Sequence, residues 1–95
     1  MRSSQNMYNI YALASIDRKY VDVGLTANLD KRLDRHNKGF EKTTKPYAPF
    51  LLFYTESAKD RINARLREKY LKSRSGKRFL YKLLLEKHPN LKQYQ

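Results

Sequence analysis

Cysteine is absent from this chain of 95 residues, and histidine occurs only twice. Without thiolates there is neither a disulfide framework nor a sulfur-ligated metal site, and two imidazoles are too few for a histidine-rich one. Any metal must therefore be a hard cation held by carboxylate oxygen and water. No apolar run approaches the ~18 residues that a membrane span needs, and the opening segment MRSSQNMYNIYALAS holds no long hydrophobic stretch. The chain is accordingly expected to be soluble and cytoplasmic, with no membrane partner. Acidic residues are also scarce: 9 Asp and Glu stand against 21 Lys and Arg, a net charge of +12. A compact chain with this imbalance surrounds itself with positive potential, which calls for an anionic partner, and nucleic acid is the usual one.

Among the residues present, 8 Tyr and 4 Phe are interleaved with the basic ones, where they can either stack on bases or fill a core. The length suits a single domain over residues 1–95 with one modest core, and Met1 to Asn6 are expected to form a loose tail. Tyr8 to Ser15 alternates as a strand, with Ile10, Ala12 and Ala14 on one side and Tyr11 and Leu13 on the other. Asp17-Arg18-Lys19 supplies a turn, and Tyr20 to Gly24 returns antiparallel with Val21 and Val23 opposed to Tyr20, Asp22 and Gly24. Asp22 stands out, because aspartate is disfavoured in strands. Thr26 or Asn28 caps the helix that follows, and Gly39 is placed to end it with a positive φ.

Phe40 to Pro49 is a loop whose Lys42, Lys45 and two threonines either contact phosphate or are simply solvated. Phe50 to Thr55, nearly all apolar, predicts a third strand that is central and buried on both faces. Ser57 and Asp60 have capping-box spacing for a helix from Ala58 to about Ser73. That helix has a main apolar stripe of Ala58, Ile62, Leu66 and Tyr70 and a narrower one of Ala64 and Leu71. Ser73 to Lys77 reads as a polar break before a last helix bearing Phe79, Leu80, Leu83 and Leu84, which His88-Pro89 closes; residues 81–95 form the helix end and a tail. The fold expected is α+β, a three-stranded antiparallel sheet flanked by helices in the order β-β-α-β-α-α.

Three side chains invite a functional reading. At about 100° per residue, Arg32 and His36 lie one turn apart at the edge of the stripe made by Leu29 and Leu33, where they can either act or serve as a snorkelling arginine and a boundary histidine. Glu68 is a lone carboxylate in a basic helix. It is either an ordinary salt-bridged surface residue or a group kept to hold a cation where it can meet phosphate. Arg61, Arg65 and Lys72 on the same helix are candidate nucleic-acid contacts, with Lys42 and Lys45 in the loop.

In order and spacing these pieces resemble the GIY-YIG endonuclease superfamily, in particular small stand-alone members similar to the N-terminal nuclease domain of the excision-repair subunit UvrC. The carriers are Asn9-Ile10-Tyr11, Asp22-Val23-Gly24, Arg32 with His36-Asn37, and Ala64 with Glu68, Leu71 and Lys72. The resemblance implies hydrolysis of DNA phosphodiester bonds with one divalent cation, Mg²⁺ or Mn²⁺, held by Glu68. It further implies that Arg32 stabilises charge on the phosphate, that His36 positions or deprotonates the attacking water, and that Tyr11 serves as or assists the general base. A phenol with its ordinary pKa near ~10 needs cations beside it for that task.

Asn9 and Leu25 depart from the family pattern, and so does Asp22, which stands where the second motif tyrosine is expected. Asp22 can join in metal binding and base chemistry, can repel the phosphate and leave a weakened enzyme or a non-catalytic nucleic-acid-binding module, or can be an idle strand residue; the balance favours reduced activity. No DNA-specificity segment is evident, so specificity is expected to be low or to be supplied by a protein partner, and the oligomeric state is open.

Overall fold

The computed structural model describes residues 7–95; the expected loose tail, Met1 to Asn6, lies outside the described residues. β1 (Tyr8–Ser15) and β2 (Val21–Thr26) form the antiparallel hairpin, with Tyr11 opposite Gly24, Ala12 opposite Val23 and Leu13 opposite Asp22. α1 (Leu29–Asn37) follows, and of the two candidate caps it is Asn28 whose Oδ1 accepts the Lys31 N–H, at 3.1 Å. Gly39 takes φ +76° and lets Phe40 N–H reach back to the Arg35 carbonyl, 2.9 Å away, closing the helix as expected. At the same end, Asn37 Oδ1 accepts the Phe50 N–H at 2.7 Å and ties α1 to β3 (Phe50–Ala58).

The sheet runs in the order β2-β1-β3, so β3 is an edge strand and β1 the central one, the reverse of the expectation for the apolar run at Phe50. β3 is also not buried throughout: only Phe50 and Phe53 are. An irregularity in register opposite Ala12 and Leu13 puts Phe53 and Tyr54 toward one face, while Phe50 and Leu52 pack on the other. The strand extends past Thr55 because Tyr8 and Asn9 of β1 pair with Ala58 and Ser57. Ser57 is thereby consumed by the sheet, and Asp60 caps α2 (Arg61–Lys72) instead, accepting from Asn63 N–H at 2.8 Å.

α2 also turns the other way from the expectation. Ala64, Glu68 and Leu71 face inward, whereas Ile62, Leu66 and Tyr70 are 76%, 61% and 43% exposed. Small Ala64 lets the helix lie close to the sheet. Gly76 fixes the same orientation from the next helix, since a Cβ there would overlap the Tyr70 carbonyl and the Leu71 backbone. The expected polar break shrinks to Ser73, whose N–H bonds the Tyr70 carbonyl at the end of α2 and whose Oγ accepts Gly76 N–H at the start of α3 (Arg74–Lys87).

α2 and α3 cover one sheet face through Ile10, Ala12, Val23, Leu71, Leu80 and Leu84. The other face buries Tyr11, Leu13 and Phe50 with Leu29 and Leu33 of α1 packed against them. The chain end folds back as a short 3-10 turn at Lys92–Tyr94, where buried Tyr94 donates to the Ser15 carbonyl at 2.6 Å and accepts Tyr20 N–H at 3.3 Å. Among the described residues no helix is long and apolar enough to cross a membrane.

Candidate active site

Tyr11 is set by the register of the hairpin. Its phenol crosses β2 over Gly24, and a Cβ at that position would overlap the ring, so glycine is what makes room for the side chain. The hydroxyl lies 3.1 Å from Nε2 of His36, which is buried with its ring edge-on to Tyr11 and Phe50. The opposite nitrogen, Nδ1, is 2.8 Å from Oγ1 of buried Thr44. The Thr44 hydroxyl donates to the Glu41 carbonyl at 3.3 Å, which leaves its oxygen to accept from Nδ1–H. This network assigns Nε2 as the unprotonated nitrogen, accepting from Tyr11. Burial lowers the pKa of His36, which favours the neutral ring. Burial likewise pushes the Tyr11 phenol up to about 12, despite the opposing guanidinium of Arg32.

Two charged groups border this chain of hydrogen bonds. Asp22 is half-buried with Oδ2 3.6 Å from His36 Nε2, so it faces the site and is no solvent-facing strand residue. Desolvation raises its pKa against the pull of His36, Lys72 and Arg32. Arg32 reaches Glu41 at 3.5 Å, and Glu41 is held mainly by Arg35 at 2.9 Å, which keeps its carboxyl below the usual range. The Nε–H of Arg32 is buried and makes no hydrogen bond among the described residues, although the guanidinium lies close enough to Tyr11 to act on its phenol.

Glu68 forms the α2 wall. It is buried, and its two oxygens lie 3.2 Å from Arg65 Nη1 and 3.3 Å from Lys72 Nζ. A cavity of about 280 Å³ joins the two walls, and Tyr11, Asp22, Arg32, His36 and Glu68 all line it, together with Arg61, Arg65 and Lys72. Lys42 and Lys45 do not line it; the Lys45 stem lies instead beside Gly39.

Sequence reasoning missed Glu41 and Thr44. The pair of threonines in the loop was visible as two hydroxyls, but nothing local marks Thr44 as the residue that orients His36.

Although Asp22, His36, Glu41 and Glu68 line this one cavity, no three His, Cys, Asp or Glu among the described residues are grouped so as to hold a metal ion by themselves. A hard cation of the Mg²⁺ type needs only one or two carboxylates, with water and substrate phosphate filling the rest, so the donors it would require are carboxylate oxygens such as that of Glu68. Glu68 would supply that oxygen, and its partners Arg65 and Lys72 are 60% and 54% exposed, so displacing them costs little.

A family model described as GIY-YIG catalytic domain matches residues 7–82. The chain belongs to the GIY-YIG family, and its fold is of the nuclease type. No curated protein and no solved structure matches the chain.

Proposed function

We propose that this protein is a metal-dependent endonuclease that hydrolyses phosphodiester bonds in DNA. The observation that carries the reading is the convergence of Tyr11, Arg32, His36 and Glu68, drawn from a strand and two helices, on one cavity lined with basic side chains. The scissile phosphate sits against Arg32, whose fixed guanidinium stabilises the charge that builds on the phosphoryl oxygens. Arg61, Arg65 and Lys72 hold phosphates of the same strand. Tyr11 passes a proton to His36 Nε2 as its oxygen takes one from the attacking water, so no free phenolate is needed from a group whose pKa lies near 12. Thr44 keeps Nδ1 protonated and Nε2 available throughout. Mg²⁺ or Mn²⁺ held by Glu68 supplies Lewis-acid stabilisation when bound. Asp22 steadies the imidazolium but adds negative charge where the phosphate must enter, and this weakens the enzyme.

The second reading, a non-catalytic nucleic-acid-binding module, draws on the engagement of both Glu68 oxygens by cations and on Asp22 itself. Nicking of supercoiled plasmid in Mg²⁺ or Mn²⁺ separates the two. Cleavage should disappear in Glu68→Gln, in Arg32→Ala and in EDTA, and should speed up in Asp22→Tyr. Cleavage that persists in EDTA or in Glu68→Gln rules the mechanism out, and DNA binding without cleavage even in Asp22→Tyr selects the binding module.

A further inference from the structure

The face of α2 that the core leaves out carries Ile62, Leu66 and Tyr70, all substantially exposed. On a helix at about 100° per residue they form one row, i, i+4, i+8, on the side opposite Ala64, Glu68 and Leu71. Between the buried edge and this row lie Arg61, Lys72, Arg65 and Lys69. The cationic band is continuous with the cavity already described. Arg65, Glu68 and Lys72 line both that cavity and a neighbouring groove of about 360 Å³ that Leu66 and Lys69 complete. Travelling outward from the site, a ligand therefore meets a carboxylate, then a row of cations, then a row of apolar side chains.

That sequence of surfaces selects its occupant. The sole acidic residue of α2 is the buried Glu68, so the helix surface is cationic and its partner must be anionic. An anionic lipid surface also pairs charge with apolar contact, but the band is continuous with the cavity read as a phosphodiester site, and the anion with apolar faces that spans both is a nucleic-acid strand whose bases are not paired. In a duplex the base faces are hidden in the stack, and an apolar row laid on the duplex backbone would desolvate phosphate without return. From Ile62 to Tyr70 the row runs about 12 Å, the length of three to four stacked nucleotides.

We infer that the outer face of α2 is a binding track for unpaired nucleotides, phosphates on Arg61, Arg65, Lys69 and Lys72 and bases on Ile62, Leu66 and Tyr70, so that the protein engages DNA that is single-stranded beside the scissile phosphate. The inference rests on the nucleic-acid reading of the cavity and adds to it the form of the substrate. It predicts preference for single-stranded or branched DNA over continuous duplex.

The test is fluorescence anisotropy in EDTA, so that no cleavage intervenes, with a labelled oligothymidylate and a labelled duplex of the same length. Replacing the row by Ile62→Ser, Leu66→Ser and Tyr70→Ser together should weaken binding of the single strand by ~10-fold or more and leave the duplex nearly unchanged, since stacking contacts are lost and phosphate contacts kept. The conservative set Ile62→Val, Leu66→Met and Tyr70→Phe should restore the preference. Equal losses on both probes, or no loss on either, overturn the proposal. A wild-type dimer that the serine variant dissolves in sedimentation, with DNA affinity intact, also overturns it and gives the row to a second copy of the chain. Because the readout is binding, it is independent of the plasmid assay: a protein that binds single strands through this row and never cuts defeats the proposed nuclease, while one that cuts without using the row defeats only this inference.

Discussion

The two walls of the cavity are built differently. On the α1 side Tyr11, His36 and Thr44 form a buried chain of hydrogen bonds closed by the Glu41 carbonyl, with each polar atom given a direction. On the α2 side buried Glu68 is held, among the described residues, by Arg65 and Lys72, whose own side chains are mostly in solvent. A preorganised wall suits proton handling, where the pairing of donor and acceptor must be correct before the reaction begins. A wall held by exposed ion pairs costs little to rearrange and suits a ligand that arrives with its own charge and water.

The largest effects should come from removing the one group on each wall to which the proposed function assigns the phosphate or the cation. Arg32→Ala and Glu68→Gln should each lower plasmid nicking by ~10²-fold or more, the usual consequence of losing a charge-stabilising donor or a metal-holding oxygen. Thr44→Val breaks only the rigid wall: it is nearly isosteric but leaves the buried Nδ1–H of His36 without an acceptor. A loss of about 1–3 kcal/mol in urea-unfolding stability is expected, with a slower cleavage rate and little change in DNA affinity. Arg65→Ala, the matching change on the loose wall, should cost under ~1 kcal/mol of stability. If Thr44→Val and Arg65→Ala cost the same, the two walls do not differ in the way described.

Gly24→Ala probes how Tyr11 is seated. The added methyl meets the phenol, so either the ring moves off His36 or β2 shifts, with an expected cost of about 1–3 kcal/mol and a loss of cleavage. A crystal structure of the variant with the Tyr11 to His36 bond intact would show that the close fit is not what places the ring.

What could be read from the chain alone was whatever a few neighbouring residues decide. The alternation in Tyr8 to Ser15, a cap at Thr26 or Asn28 and the positive φ at Gly39 are local, and all three hold, with Asn28 the residue that caps. Strand order is not local: Phe50 to Thr55 is more apolar than β1, yet β1 is central because both other strands pair with it. The orientation of α2 departs from its sequence pattern for a related reason. The row with the larger side chains looked like the core face, but Ala64 and Gly76 allow close approach on the opposite side, and close approach decides packing. Of the site, Tyr11, Asp22, Arg32, His36 and Glu68 were visible as residues and do share a cavity. The link from Thr44 to His36 was not, since a loop of irregular backbone gives no period from which to infer where a hydroxyl ends up.

The smallest expected effect is the most specific about Asp22. Its folded pKa is raised by burial, so its carboxylate is harder to ionise in the folded chain than in the unfolded one, and it costs stability as pH rises through that raised value. His36 has the opposite linkage. Its folded pKa is lowered, so the unfolded chain binds more protons and stability falls as pH drops below the ordinary histidine value of about 6.5. Asp22 partly relieves this second cost, because its charge draws the His36 pKa upward. Asp22→Asn should therefore raise the melting temperature by a small amount at neutral pH and lose that gain on acidification, as the uncompensated His36 becomes harder to protonate. In cleavage, the acid limb of the pH profile should move to lower pH in Asp22→Asn, because the base then stays neutral further into the acid range. A melting-temperature gain that is the same at every pH, with the acid limb unmoved, would mean that Asp22 and His36 do not share the charge that their 3.6 Å separation implies.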